Sequence, residues 1–270
     1  MNYSETLIKK TAIQIWQKWS IAFRVMPIVF VVTGLKFFSQ KFGFELMELN
    51  ALFTSLVAGT IFLIGFLVSG VLSDYKESEK IPSDLYATIK SLFDDTCTIY
   101  EGKNSEAARQ FIEYQKVFSG NLKDWFYKKY RTQSLLKEIS AMNSFFVLFD
   151  KEGVQANYII KMKNEQNSIR KAILRIDTIR DTGFIGSAYA IVEAMTFAII
   201  VGLIIIDIEP FYASLFITTL VTFLISYMIF LIKDLDNPFD YAIKGNHGTE
   251  VSIKPIYDVN SALNEYKMSN

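Results

Sequence analysis

The residue types that most often do chemistry in proteins are scarce in this sequence. The single cysteine, Cys97, excludes a disulfide within the chain and a cysteine-based metal site. The single histidine, His247, lies in a Gly-rich stretch, Lys244–Gly248, so a histidine-based catalytic triad is not expected. No cluster of Asp, Glu, His or Cys stands out at catalytic spacing. We therefore expect the protein not to be an enzyme and to have no catalytic residues, metal site or cofactor.

One acidic residue occupies an unusual place. Glu193 is the only charged residue in the apolar run Gly183–Ile206. A carboxylate in the middle of a membrane-spanning helix costs roughly 2.5–3.5 kcal/mol, so it seldom faces lipid. Two interpretations stay open. Glu193 either binds a cation or proton or faces a pore, or it is a protonated or hydrogen-bonded side chain satisfied by a hydroxyl such as that of Thr218 or Thr222.

Four apolar runs predict membrane-spanning helices. About 20 apolar residues cross the hydrocarbon core of a bilayer, and 51% of the chain is hydrophobic. Two of the runs have no charge and one has only Glu193, whereas the first is shorter and has a basic residue near each end. The runs are Ile21–Phe38, Leu49–Leu72, Gly183–Ile206 and Phe211–Ile232. They predict an all-α, polytopic membrane protein with four transmembrane helices.

Basic residues predict the orientation of the spans, which occupy 21–72 and 183–232. Lysine and arginine are found in the N-terminal segment 1–20, the long segment 73–182 and the tail 233–270, but hardly in the short connections between spans. Because basic flanks stay in the cytoplasm, we expect a multi-pass plasma (inner) membrane protein with both termini cytoplasmic. No signal-peptide cleavage pattern is present near the N-terminus. Lys+Arg and Asp+Glu balance at 28 each, so no nucleic-acid partner is expected.

The segment 73–182 predicts a helical cytoplasmic bundle between the second and third spans. Apolar residues recur every three or four positions, as in Leu135, Leu136 and Ile139, and charges of both signs alternate at helical spacing. Breaks between the helices are predicted near three glycines, Gly102, Gly120 and Gly153.

Three of the spans have a stripe of small or hydroxyl residues along one side, and the second span also has a bulky side. Transmembrane helices associate through small and polar residues, since lipid tails match apolar side chains. Either the stripes pack the helices of one bundle together, or one bulky or hydroxyl face lines a pore in an oligomer. The stripes are Ala51, Ser55, Ala58, Gly59, Gly65, Ser69 and Ser73; Gly186, Ala190, Ala194, Ala198 and Gly202; and Ser214, Thr218, Thr222 and Ser226. The bulky side consists of Phe53, Thr60, Ile64, Leu67, Val68 and Val71.

Two short motifs resemble the bestrophin superfamily, particularly its prokaryotic members. The second span leads into GFLVSGVLSDYKE, Gly65–Glu77, where a Gly-rich helix ends in a tyrosine and charges. The fourth span runs into LIKDLDNPFD, Leu231–Asp240, which contains an Asp-Leu-Asp-x-Pro motif. The order of the motifs, the four spans and the long helical segment between them agree with that family. The motif residues are Asp234, Asp236, Asn237, Pro238 and Phe239.

The resemblance implies a homopentameric ion channel with passive conduction through a central pore. In bestrophins the second span lines the pore, and three bulky residues at four-residue spacing form a hydrophobic neck. Counted back from Tyr75–Lys76, the neck falls at Thr60, Ile64 and Val68, on the bulky side of the span. A ring of such residues gates by dewetting. The threonine departs from the family pattern and predicts a neck that is wider or shifted toward Leu72.

A second departure concerns calcium and selectivity. Animal bestrophins follow Asn-Pro-Phe with several acids that help to hold Ca²⁺, whereas here Asp240 is followed by three uncharged residues and Lys244. Because Ca²⁺ needs several oxygen ligands close together, we expect no Ca²⁺ activation. Bacterial bestrophins resemble cation channels more than anion channels, and Glu193 and the acids of the short connections favour the same selectivity. Those acids are Glu45, Glu48, Asp207 and Glu209.

Two other functions stay open. Stator-type proton channels also have two spans, a helical segment and two further spans, assemble as pentamers, and work with a single-span partner. Glu193 would then relay protons. In the other function, the spans only anchor a cytoplasmic bundle that binds partner proteins. The partners expected for a channel are membrane lipids, inorganic ions and further copies of the chain.

Overall fold

The fold is that of a computed structural model, which describes residues 3–181, 186–241 and 250–268, with side chains from Trp19 onward. His247 and the first residues of the run Gly183–Ile206 lie outside the described residues. The helices are α1 (Tyr3–Lys41), α2 (Ala51–Ser78), α3 (Ile81–Lys103), α4 (Glu106–Phe126), α5 (Thr132–Lys151), α6 (Ala156–Asp181), α7 (Gly186–Ile205), α8 (Phe211–Leu235) and α9 (Lys254–Glu265). Two short strands are β1 (Met47–Glu48) and β2 (Ile206–Asp207).

Four helical stretches are long and apolar enough to cross a membrane. They are Trp19–Lys41, Phe211–Leu235, and stretches within the runs Ala51–Lys103 and Ala156–Ile205. The prediction of an all-α membrane protein with four transmembrane helices is confirmed.

The chain divides into two compact units. The first, here the transmembrane unit, contains the four candidate spans, and the second, here the helical unit, contains the long intervening segment and the end of the chain. The transmembrane unit is Met1–Tyr75, Gly183–Pro238 and Gly245–Thr249, and the helical unit is Lys76–Thr182, Phe239–Lys244 and Glu250–Asn270.

Two apolar clusters hold the transmembrane unit together. Helices α2, α7 and α8 share a core in which Ile64, Ile199 and Ile225 are at most 2% exposed. Helix α1 packs against α8 through Val25 and Val29, which lie against aromatic side chains of α8. The interior of the unit is therefore filled by branched and aromatic side chains of its own helices.

A buried lysine ties the end of α1 to the strand pair. Strands β1 and β2 run parallel, with Glu48 opposite Asp207. The Lys36 side chain is fully buried; its Nζ lies 2.7 Å from Glu45 Oε1 and also donates to the carbonyl of Ile206. Buried charges are tolerated when they are paired and hydrogen-bonded. Lys36 thus fixes α1 to both short connections between the spans.

In the helical unit, α3 to α6 pack around an apolar core rich in phenylalanine. The ring centroids of Phe111 and Phe146 are 5.8 Å apart, and those of Phe111 and Phe149 are 5.9 Å apart. All three side chains are at most 2% exposed. Edge-on aromatic contacts of this kind add to the stabilisation from burial alone.

Two of the three helix breaks predicted near glycines are confirmed, and one is wrong. Gly153, with φ +68°, follows α5 as predicted, and α3 ends one residue beyond Gly102. The break near Gly120 is wrong, because α4 continues through that residue to Phe126. A glycine costs an exposed helix about 1 kcal/mol, which the buried neighbours of Gly120 offset. The chain turns instead at Lys128, which has a φ of 59°.

The C-terminal tail contains a helix that the sequence analysis did not anticipate. Helix α9 packs against α3 and α4 and buries Ile256, Val259 and Leu263 completely. Ser119 Oγ of α4 donates to Asn260 Oδ1 of α9 at 2.9 Å. The end of the chain is therefore part of the core of the helical unit.

Candidate pore-lining surface

Helix α2 has one side packed inside the subunit and one side exposed, although nearly all of its residues up to Leu72 are apolar or small. The packed side faces α7 and α8 and recurs every three or four positions, as expected for one face of a helix. Its buried members are Phe53, Thr60, Ile64, Leu67 and Val71.

The three residues predicted for the neck lie on or beside this packed side. Thr60 is fully buried and its hydroxyl donates to the Leu56 carbonyl at 2.8 Å. Ile64 is 1% exposed within the cluster shared with α7 and α8, and Val68 is partly buried against the same cluster. With the helices packed in this way, Thr60 and Ile64 are turned toward the interior of the transmembrane unit.

The exposed side of α2 combines small residues with two phenylalanines. Phe62 is 79% exposed and Phe66 is 69% exposed. Residues four apart lie on the same side of a helix, about one turn from each other. The same side contains Ala58, Gly59, Gly65 and Ser69, all of them exposed. This surface can therefore approach another helix closely while it presents two aromatic rings.

Glu193 forms an ion pair that neither sequence interpretation included. Its Oε1 accepts a hydrogen bond from Lys233 Nζ at 2.7 Å, and the two side chains are 50% and 52% exposed. Thr218 and Thr222 are fully buried, and neither hydroxyl contacts a partner in the structure. A hydrogen bond from either threonine was one of the two interpretations that the sequence left open, and the structure does not show it. The Glu193 carboxylate is paired instead with a lysine at the end of α8.

The aspartates of the Asp-Leu-Asp motif hold helices of the transmembrane unit together. Asp234 accepts two hydrogen bonds from the guanidinium of Arg24 on α1, at 3.0 and 2.6 Å. Paired bonds of this geometry are among the strongest between side chains. Asp236 lies beside the Tyr189 hydroxyl of α7. The motif thus connects the end of α8 to both α1 and α7.

The rest of the motif is buried. Pro238 and Phe239 are buried, and Asn237 has a buried side-chain oxygen without a hydrogen-bond partner. Across residues 3–181, 186–241 and 250–268, no three His, Cys, Asp or Glu side chains are grouped so that they could hold a metal ion. The motif residues therefore position helices in this structure.

Known proteins were compared with the chain by sequence and by structure. No protein-family model matches the sequence, and no curated protein does. An Asp-to-Ala variant of a bacterial bestrophin homologue from Klebsiella pneumoniae has a TM-score of 0.71 at 15% identity, covering 91% of this chain and 98% of that chain. An Ile-to-Thr variant of a bacterial bestrophin homologue from the same organism has a TM-score of 0.70 at 13% identity, covering 91% and 98%.

The chain has the bestrophin fold. A third similar structure, of a membrane protein, has a TM-score of 0.67 at 13% identity and covers 91% of this chain and 95% of that chain. The resemblance read from the Gly65–Glu77 and Leu231–Asp240 motifs is thus confirmed at the level of fold.

The sequence analysis did not consider the exposed Phe62 and Phe66 as candidates for a pore. A signal for them was present, because at 100° per residue both phenylalanines lie within the arc of α2 that carries Ala58, Gly59 and Ser69. Small residues on a transmembrane helix mark a surface for close contact. Phenylalanines within such an arc are therefore candidates for an oligomer axis, whereas the bulky side opposite is needed inside the subunit.

Proposed function

We propose that the protein is a subunit of an ion channel whose pore runs between identical copies of the chain. The packing of the transmembrane unit supports this, because Ile64, Ile199 and Ile225 fill its interior and a conduit would have to form between subunits. The exposed side of α2 is the one surface of that helix available to line it. The bestrophin fold supports the homopentamer that the motif resemblance implies.

The neck in this proposal consists of Phe62 and Phe66 and replaces the earlier assignment to Thr60, Ile64 and Val68. The two exposed rings lie about 6 Å apart along the helix axis, as four residues rise by that distance. Five copies of α2 would arrange them as two stacked aromatic rings. A narrow apolar constriction of this kind excludes water when closed and so gates conduction.

In this proposal, carboxylates of the strand pair give the channel a preference for cations. Glu48 and Asp207 are exposed and stand opposite each other, whereas Glu45 is engaged by Lys36. Repeated around an axis, such carboxylates attract cations to the pore entrance. Glu193 is paired with Lys233, which weakens its part in selectivity and favours a passive channel over a stator-type proton relay.

The proposal is tested by single-channel recording in planar bilayers. Phe62→Ala and Phe66→Ala, alone and together, are expected to raise conductance or open time because they widen the apolar constriction. The matched control is Phe197→Ala on α7, whose side chain is 70% exposed but does not belong to α2. Currents unchanged in both α2 variants, or raised equally by the α7 control, would contradict the assignment of the neck.

A further inference from the structure

The helical unit contains an open groove between the start of α3 and the second half of α6. Its volume is about 550 Å³, which is within the usual range for ligand pockets. The floor is apolar, since Ile81 and Leu85 are buried. The first turn of α3, which lacks a side-chain N-cap, forms one wall. Five charged residues line the groove: Glu77, Lys80, Asp84, Lys171 and Arg175.

Basic side chains outnumber acidic ones in this groove. Lys80, Lys171 and Arg175 line it together with Glu77 and Asp84. Arg175 is engaged by Glu77, with two contacts of 3.2 Å. Lys80 and Lys171 are exposed and form no ion pair within the part of the chain that the structure describes. With Arg175 and Glu77 paired, Lys80 and Lys171 face one remaining acid of the lining, Asp84. The groove therefore keeps one net positive charge beside its apolar floor and the start of α3.

Both walls of the groove contain residues that are only a few positions in sequence from a predicted span. Glu77 belongs to α2, the helix that forms the second span, and is five residues beyond Leu72, or about 8 Å along the axis. Arg175 is six residues before Asp181, the last residue of α6, after which the chain continues into the third span. Both α2 and α6 thus connect residues of the groove to a predicted span through a few residues of chain.

We propose that the groove binds the phosphodiester headgroup of an anionic phospholipid. The phosphate would be held between Lys80 and Lys171, because ammonium groups form strong, charge-assisted hydrogen bonds to phosphate oxygens. The apolar floor suits the glycerol carbons next to the phosphate, which a free inorganic phosphate lacks. Basic residues next to a span are attracted to anionic lipid surfaces in the same way. This site does not depend on ion conduction.

The experiment measures binding of soluble dihexanoyl phosphatidylglycerol to the full-length protein in a neutral detergent, by isothermal titration calorimetry. Dihexanoyl phosphatidylcholine and inorganic phosphate are the comparison ligands. In the double variant Lys80→Gln/Lys171→Gln we expect affinity for phosphatidylglycerol to fall about tenfold or more, since two charge-assisted bonds are lost. The matched control is Lys137→Gln/Lys163→Gln, which removes two exposed lysines outside the groove.

A third variant tests the site in the opposite direction. Glu77→Gln releases Arg175 from its ion pair and is expected to tighten binding of phosphatidylglycerol, so a folding defect in the double variant would not decide the result. Equal affinities in both double variants, or no tightening with Glu77→Gln, would overturn the proposal. Binding of phosphatidylcholine or inorganic phosphate as tight as that of phosphatidylglycerol would overturn the lipid assignment. Because the assay contains no ion flux, these outcomes are independent of the channel proposal.

Discussion

The Cys97 thiol illustrates how burial controls the chemistry of one residue. It is 8% exposed inside the helical unit. Burial raises the pKa of the Cys97 thiol to about 11, against the opposing effect of a hydrogen bond with the Tyr266 hydroxyl. The nucleophilic form of cysteine is the thiolate. At neutral pH this thiol is therefore both inaccessible and protonated.

We expect Cys97 to resist thiol reagents in the folded protein. With a pKa of about 11, its thiolate fraction at pH 8 is roughly 100-fold smaller than that of an ordinary exposed cysteine. Reaction with a disulfide reagent at pH 8 should be slower by at least that factor and should accelerate as pH rises or on unfolding. The control is Cys97→Ser/Ser144→Cys, with the thiol at an exposed position of α5. Similar rates for the two proteins would contradict the burial of Cys97.

Gly202 in α7 is required because of one close neighbour. A Cβ atom at this position would lie 2.2 Å from Cε2 of Phe53, a buried ring of α2. Gly202→Ala is expected to lower stability by about 1–3 kcal/mol, since the ring must move within a packed core. Thermal unfolding in detergent measures the loss, with Gly34→Ala as the control because no atom lies within 4 Å of a Cβ there. Equal stability of the two variants would refute this close contact.

At the scale of elements, α1 is attached to α8 at several levels along its length. Arg24 pairs with Asp234, and the hydroxyls of Thr33 and Thr219 are 2.9 Å apart. Between these contacts, apolar side chains of α1 lie against aromatic side chains of α8. Polar contacts between transmembrane helices fix their register, while small and apolar surfaces determine how closely they pack.

We expect the Arg24–Asp234 ion pair to stabilise the packing of α1 on α8. Arg24→Gln leaves Asp234, whose side chain is 12% exposed, without its cation and should destabilise the protein by about 1–2 kcal/mol. Arg24→Lys keeps the charge but loses the paired geometry, so an intermediate loss is expected. Unfolding temperatures of the purified variants measure both effects. A Gln variant as stable as the original protein would mean that the pair contributes nothing to holding α1 on α8.

For the whole molecule, the sequence was sufficient to predict the spans and the fold. It was not sufficient to predict which side of α2 packs inside the chain. Charge-free runs such as Phe211–Ile232 are recognisable because a bilayer imposes a length and an apolar composition. Hydropathy cannot tell the subunit interior from a lipid or pore face, since all three accept apolar side chains. Ile64 was therefore predicted to line a pore, whereas the structure buries it inside the transmembrane unit.

Sequence patterns also could not predict which side chains distant in the chain contact each other. Lys233 meets Glu193 40 residues away, a contact that depends on how α7 and α8 pack. The turn at Lys128 likewise depends on tertiary contacts and not on a glycine. Helix α9 has a local signal that the analysis overlooked, because Ile256, Val259 and Leu263 recur at helical spacing after a proline. Local patterns therefore predicted which segments are helical, and packing decided where they turn and which side chains meet.

The assembly of several copies is the prediction that belongs to the whole molecule. If the exposed side of α2 packs around a common axis, mass photometry in detergent should give five copies, and a bulky side chain on that side should weaken the assembly.

Gly59→Leu is suited to this test, because no atom of the subunit lies within 4 Å of a Cβ at Gly59, so the subunit itself accommodates the change. Close approach of transmembrane helices needs small residues, and the variant should therefore shift the mass distribution toward smaller species. Gly34→Leu adds the same side chain to α1, where the subunit is equally open, and controls for the added bulk. A monomer in the original protein would contradict the assembly itself. An unchanged pentamer in Gly59→Leu alongside a dissociated Gly34→Leu would place the contact between subunits on a helix other than α2.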